Sequence, residues 1–325
     1  STKENVDFLR ARSLRALAEF YWKIEKNYQR AFEQYLLLDN EISAANPKDY
    51  PEMARDLMQI GKAYYFFHDY PLAIKYFKRA IALPENTFTT GVINDARNTL
   101  GLSYQQLGRL DSADYYFNRV LETKFAESAA WKRVAIGNLG ADLYLGGHYD
   151  KAIPLLEEDF YGAEKEHDLG AAAGSAIPLA DIYRMKGDLN HAKTFLQKAI
   201  DYIEEAKQPE RLRFLYPVMS KWYADIGDKE NAKRYIDSAI VATDRYNAEF
   251  SALKVLRAQQ EVDRQKEELQ EAAYTLEWER KASERNLLIL LVIILCIGIA
   301  LTYFIQKKRQ LTKDLSLQAA TQELE

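Results

Sequence analysis

Cysteine occurs once in the 325 residues, at Cys296, inside an apolar segment near the C-terminus. One thiol excludes an intrachain disulfide, and no CxxC or Cys/His spacing offers a metal site. Glycine (14) and proline (8) are scarce, whereas Ala, Leu, Glu, Lys and Tyr are abundant, which favours helix over strand. No block of basic residues stands out against a net charge of −4, which argues against nucleic-acid binding. GxxxxGK[ST], GxSxG and HExxH are all absent. His68, His148 and His191 fall at inter-helix turns, and His167 falls in an acidic surface stretch. Glu157, Glu158 and Asp159 are adjacent, but successive helical positions point in different directions, so they read as a solvated face. No enzymatic activity, no metal and no cofactor are expected of this chain.

What the sequence does carry is internal repetition. Gly61, Tyr64, Ala73, Phe77 and Ala80 recur as Gly101, Tyr104, Ala113, Phe117 and Val120. The pattern returns as Gly140, Leu143, Ala152, Leu156 and Asp159, then as Ala180, Tyr183, Ala192, Leu196 and Ala199. A further copy reads Ser220, Tyr223, Ala232, Ile236 and Ala239, and a degraded early one reads Trp22, Tyr28, Ala31, Tyr35 and Leu38. The period is about 40 residues. A small residue in each first helix lets the second helix approach, and the tyrosine one turn on fills the groove on the same face. The alanine early in the second helix is the reciprocal contact, and the bulky residue four positions later is expected to pack on the next unit. Between the helices lie HDYPLA, GRLDSA, GGHYDKA, GDLNHA and GDKENA, with Asp69, Asp111, Asp150, Asp188 and Asp228 as N-cap candidates.

From Arg12 to Ala242 this pattern resembles the tetratricopeptide repeat family. The resemblance implies an all-α fold, a tetratricopeptide-type α-solenoid of about six helix pairs over residues 1–243. The copies are longer than the ~34 residues usual for that family. Pro178 and Pro217 fall inside first helices and are expected to bend them. The third copy lacks the tyrosine and the final small residue, so its packing is expected to be irregular.

Arrays of this kind bind extended peptides in a concave groove, which makes a peptide or protein ligand the expected partner. Tyr65 and Phe67 are candidate groove residues, with a neighbouring helix as the competing destination. At places comparable to the family's peptide-carboxylate clamp stand Gln59, Lys62, Thr99, Asn138, Ala141 and Asp181. This set makes no cationic clamp; Gln59, Lys62, Asn138 and Asp181 remain candidate ligand-contacting positions.

Beyond the repeats, residues 244–285 contain no glycine or proline. Val255, Val262, Leu269 and Leu276 recur every seven residues, with Ala258, Gln265, Ala272 and Glu279 at the alternate positions. That seam predicts a helical stalk, either a coiled coil pairing two chains or a helix capping the solenoid. Leu287 to Ile305 carries no charge and is long enough for the hydrocarbon core, so residues 286–306 are predicted to form one transmembrane helix in contact with lipid. Tyr303 and Phe304 suit one interface. Lys307, Lys308, Arg309 and Lys313 follow, against Arg280, Lys281 and Arg285 before the span, a bias toward a cytoplasmic C-terminus. Residues 307–325 read as a further helix with Leu311, Leu315, Leu317 and Leu324 as a partial stripe, and the sequence stops in mid-pattern as a fragment does.

The order of array, stalk, single span and juxtamembrane helix, with KKRQLTKDLSLQAATQELE at the end, resembles the sensory half of bacterial membrane sensor histidine kinases. The resemblance implies an inner-membrane protein with periplasmic repeats, a cytoplasmic C-terminus and a role in two-component signal transduction, without the phosphoacceptor histidine motif in this chain. The same front half also fits a membrane-bound transcription regulator, and a tail-anchored cytosolic scaffold would need no further domain.

Overall fold

The computed structural model describes the backbone of residues 2–43, 45–86, 89–124 and 129–322. Those residues form helices and connecting turns. The first six pairs are α1 (Thr2–Lys23) with α2 (Tyr28–Ile42), α3 (Met53–Phe66) with α4 (Tyr70–Ile81), α5 (Thr90–Gln106) with α6 (Leu110–Leu121), α7 (Ala129–Leu145) with α8 (Tyr149–Lys165), α9 (Leu169–Met185) with α10 (Leu189–Glu205), and α11 (Leu212–Asp225) with α12 (Lys229–Glu249). The last helix, α13, runs Ala252–Gln322. The architecture is an all-α, tetratricopeptide-type solenoid followed by a long helix.

Repeat packing follows from side-chain size. A Cβ on Gly61 would come within 2.7 Å of the Phe77 ring, and one on Gly140 within 2.9 Å of Leu156. The bulky residue of the second helix therefore lands on the small residue of its own first helix, not on the next unit as the spacing suggested. Ala73, Phe77, Ala113, Phe117, Ala152 and Ala192 are all fully buried. Successive first helices also touch each other, α3 on α5, α5 on α7, α7 on α9 and α9 on α11. First helices thus form a continuous inner layer, and each second helix before α12 is wedged between two of them. In the last copy Ile236 is 43% exposed, because α12 has no following pair to cover it. Pro178 and Pro217 sit inside α9 and α11, and both helices run through them unbroken.

The cap position lies four residues before each repeat alanine. Asp69, Asp188 and Asp228 occupy it and accept from the amides of Leu72, His191 and Asn231. Asn27 does the same in the first pair; in the α5–α6 and α7–α8 pairs Arg109 and His148 stand there, which moves Asp111 and Asp150 into the first helical turn, where neither caps. The turns ahead of the caps close on a left-handed residue, Gly108, Gly147, Gly187 or Gly227 in four cases and His68, His167, Lys26 or Lys207 in four others.

The third copy departs from the rest as its sequence implies. Asp159 stands where other copies have a small residue and is 4% exposed, so it is no part of a solvated face. It accepts from Arg133 Nη1 at 2.6 Å and from Ser175 Oγ at 2.6 Å. Arg133 also reaches Glu166 (2.9 Å) and Asp168 (2.8 Å). Here the apolar core divides: one cluster runs through the first repeats to Ala135 and also takes in Tyr246 to Ala258, and the other runs from Ala152 to Trp222.

The chain forms two compact units, Ser1–Val262 and Asp263–Glu325. The first extends past residue 243, because Phe250, Val255, Ala258 and Val262 are buried in it. Phe250, Val255 and Ala258 join the core cluster that holds Trp22, Tyr64 and Phe67. The heptad seam is therefore cut in two. Its upper half packs against this chain's own repeats, while Leu269 and Leu276 are 65% and 69% exposed.

In the second unit, an 18-residue window of α13 has mean hydropathy 3.0 and none of it is buried, so this helix is long and apolar enough to cross a membrane. Leu287, Ile297 and Phe304 are each more than half exposed, unlike a soluble core helix. The side chains of Leu315, Leu317 and Leu324 lie outside the described residues.

Candidate functional site

The inner layer is cross-linked by a polar ladder. Lys62 Nζ lies 2.6 Å from Asp95 Oδ2, from α3 to α5. Asn138 donates to Asn98 Oδ1 at 3.3 Å, and Gln105 donates to Asp142, both between α5 and α7. Tyr144 donates to Asp181 Oδ2 at 2.7 Å, and Arg184 bridges Asp181 (2.8 Å) and Asp225 (2.7 Å). Each rung joins residues about one repeat apart in sequence, so the ladder follows from stacking the first helices in register.

Three of the expected ligand-contacting residues therefore have partners within the chain. Lys62 and Asn138 are half-buried in rungs, and Asp181 is 2% exposed. Gln59 and Lys62 line a cavity of about 260 Å³ together with Glu19, Trp22, Tyr35 and Phe66. Thr99 bonds to Asp95 on its own helix.

Phe67 is a core residue, 3% exposed, with its ring against Trp22, Phe32 and Phe250. Part of its cover, Phe250, comes from far along the chain, which its own repeat could not reveal. Tyr65 is half-buried beside Phe66 and Tyr70. Burial raises its phenol pKa, Tyr70 and Tyr246 add to the shift, and Arg213 and Arg211 oppose it. Tyr65 is thus within electrostatic range of residues of the last pair.

That approach of the last pair to the second is the part of the site that repeat spacing missed. Arg213 lies 3.5 Å from the Tyr246 ring centroid, and His68 packs on Tyr246 at 5.4 Å. Burial and then Arg213 hold the His68 pKa below its ordinary value. Beside this contact opens a cleft of about 730 Å³ lined by both ends of the array, including Lys26, Tyr28, Lys207, Tyr216, Arg245 and Lys254. Its size suits a peptide segment or a small ligand. The signal available in the sequence was the aromatic run at the end of α12, Tyr246 and Phe250, which lies outside the repeat pattern.

Asp142 is the most perturbed acid of the inner layer, pushed up to about 7 by burial and by Asp114 beside it. Its Oδ2 is buried without a partner among the described residues.

A family model described as Tetratricopeptide repeat matches residues 95–126 and 179–205. Among solved structures, the chain is similar to aspartyl phosphate phosphatase F from Bacillus subtilis, with a TM-score of 0.60 at 15% identity over 81% of this chain and 71% of that one. It is also similar to a Rap protein complexed with competence and sporulation factor (TM-score 0.56, 13% identity, 74% of this chain and 76% of that one). A third similarity is to the apo form of the quorum sensor NprR from B. thuringiensis (TM-score 0.53, 15% identity, 73% and 77%). No curated protein matches. At these identities the likeness is one of fold. The chain carries tetratricopeptide-type repeats, a protein-interaction architecture, on a helix with one long apolar stretch.

Proposed function

We propose that this chain is the ligand-binding and membrane-anchoring part of a signal-transduction protein. A peptide or a segment of a partner protein binds the inner face of the repeats, and the apolar stretch of α13 spans the bilayer. The observation that carries this reading is the burial of Phe250, Val255, Ala258 and Val262 in the repeat core. The start of α13 is thereby packed into the surface that a ligand would reshape, and the same helix carries the apolar stretch. Solenoids change curvature by small rotations at each repeat, so ligand binding can shift that packing. The fold-level likeness to a Rap protein solved with competence and sporulation factor, and to a quorum sensor, supports a peptide as ligand.

The finer reading is an extracytoplasmic sensor region of an inner-membrane histidine kinase, with repeats outside, the C-terminus in the cytoplasm, and two chains paired through the stalk. Lys307, Lys308 and Arg309 directly after the apolar stretch support that orientation. The test uses the full chain with Cys296→Ser and a single cysteine at Asn190 or Ser316. In intact cells an impermeant maleimide should label the Asn190 probe alone. Labelling of the Ser316 probe alone would reverse the orientation and favour the tail-anchored scaffold. Release of the chain by alkaline carbonate would remove the membrane reading altogether. For the ligand, hydrogen exchange on the chain in nanodiscs should show protection of α3, α5, α7 and α9 when a pool of N-acetyl hexapeptides is added. Unchanged exchange across those helices would overturn peptide binding.

A further inference from the structure

Arg211 is built into place and has no acid partner among the described residues. It closes the 3-10 turn Pro209–Arg211 ahead of α11. Two glycines one turn apart on α9 make its seat. A Cβ on Gly170 would come within 2.5 Å of Gln208 Nε2, and one on Gly174 within 3.0 Å of Arg211 Nη1. Gln208 Oε1 accepts from Arg211 Nε at 2.6 Å, which fixes the plane of the guanidinium. The outer edge, Nη1 and Nη2, has no acceptor among the described residues.

The nearby acids explain why. Asp159 and Asp168 are within electrostatic reach of Arg211, yet both are bonded to Arg133, which also takes Glu166. Arg133 thus collects three carboxylates and Arg211 none. The Arg211 side chain is half-buried, and burial is the largest influence on its pKa and lowers it. Tyr65, from α3, is also within its reach, and no acceptor for the Tyr65 hydroxyl is found among the described residues. Arg213 does not compete for a ligand, because its guanidinium lies between the rings of Tyr246 (3.5 Å) and Phe214 (4.3 Å).

We propose that Arg211 is an anion subsite on the inner face of the array, assisted by Tyr65, and that it receives a carboxylate of the bound peptide. The free edge of a planar guanidinium matches the two oxygens of a carboxylate. The guanidinium stands within electrostatic range of Asp159, Asp168 and Glu210, whose negative charge favours a monoanion over a phosphate dianion. The proposal rests on the peptide-binding reading above and adds to it the chemistry of one contact.

The test compares the full chain in nanodiscs with Arg211→Gln and Arg211→Lys variants. The probes are four pools of N-acetyl hexapeptides: free C-terminal acid without Asp or Glu, the same pool amidated, the amidated pool with one internal Asp or Glu, and the amidated pool with one phosphoserine. Peptides retained at equilibrium are counted by mass spectrometry. An acid-bearing pool should be retained about tenfold or more above the plain amide, as expected for one charge-assisted contact in a half-buried site. The first and third pools tell a terminal carboxylate from a side-chain one. Arg211→Gln should abolish the preference, and Arg211→Lys, which keeps the charge but not the fork, should retain only part of it. Should the Gln variant fail to match the wild-type melting temperature, the Lys variant carries the comparison. Equal retention of acid and amide pools, or an undiminished acid preference in both variants, would sink the subsite and leave peptide binding standing. Retention of the phosphoserine pool alone would overturn the carboxylate assignment, and retention of no pool would bring down both readings.

Discussion

Phe117 occupies the space that any side chain on Gly101 would need, with its ring Cζ 2.7 Å from where that residue's Cβ would lie. Phe117 is fully buried and belongs to the second helix of the same repeat, so its ring cannot swing into solvent. The close approach of α5 and α6 depends on this pair. Gly101→Ala is expected to destabilise the fold by about 1–3 kcal/mol through overpacking, despite the gain in helix propensity. Thermal melting of the full chain in detergent measures it, and an unchanged or raised melting temperature would show that α5 and α6 do not meet in this register.

Asp142 gives the repeat unit a pH dependence of definite sign. Its carboxyl sits at about 7 in the folded chain, against ~3.9 when exposed. The folded state therefore holds a proton that the unfolded state has lost, and stability falls as pH rises through that window. Above it, an ionised Asp142 remains buried beside Asp114. Asn at this position keeps the acceptor for Gln105 and places an N–H toward Asp114. Asp142→Asn should leave stability near pH 4 little changed and raise it at pH 8 by about 1–4 kcal/mol. Melting curves at both pH values test this, and an equal shift at each would show that the group does not titrate in this range.

The boundary of the repeat unit has a thermodynamic consequence. A fragment ending at residue 242 loses Phe250, Val255, Ala258 and Val262, and uncovers Phe67 and Trp22. Burial of that many apolar side chains is worth roughly 3 kcal/mol or more. Residues 1–262 should melt well above residues 1–242 under the same conditions. Equal melting temperatures would mean that the start of α13 is only laid against the array.

Much of this was legible because repeat packing is local. Gly61, Gly101, Phe77 and Phe117 identify themselves by their recurrence, since each pair solves the same packing problem. Asp69, Asp188 and Asp228 were readable as caps for the same reason, whereas Asp111 and Asp150 misled by lying two residues from the cap position. The inner ladder was partly readable: Lys62, Asn138 and Asp181 stand at the right places, but Asp95, Asn98 and Tyr144, each about one repeat away, take up the groups that a ligand would use. Phe67 was out of reach because Phe250 covers it from far along the chain, and Arg211 and Arg213 because they lie at the start of α11, outside the positions that recur. No spacing within one repeat encodes that the last pair meets the second.

The same limit applies to the stalk. Heptad spacing treats Val255, Val262, Leu269 and Leu276 as one seam, yet only the last two are free to meet another chain. Val255 and Val262 are 8% and 2% exposed and already covered by the repeats. An unpaired stretch with Leu269 and Leu276 on one face, Ala272 between them and Glu279 beyond offers a short, weak interface. Alone it would not hold two chains together in water, but confinement of both chains to one membrane raises their effective concentration. A chain paired through this face should therefore form an interchain disulfide at Leu269→Cys or Leu276→Cys in native membranes, in a Cys296→Ser background. Val255→Cys should not cross-link, because its side chain lies inside its own array. The yield at 269 should also respond to the peptide pool if binding shifts the packing of α13. Cross-linking at 255 as strong as at 269 would show that the start of α13 leaves the repeats, and no cross-link at 269 or 276 would show that the stalk stands as a single helix.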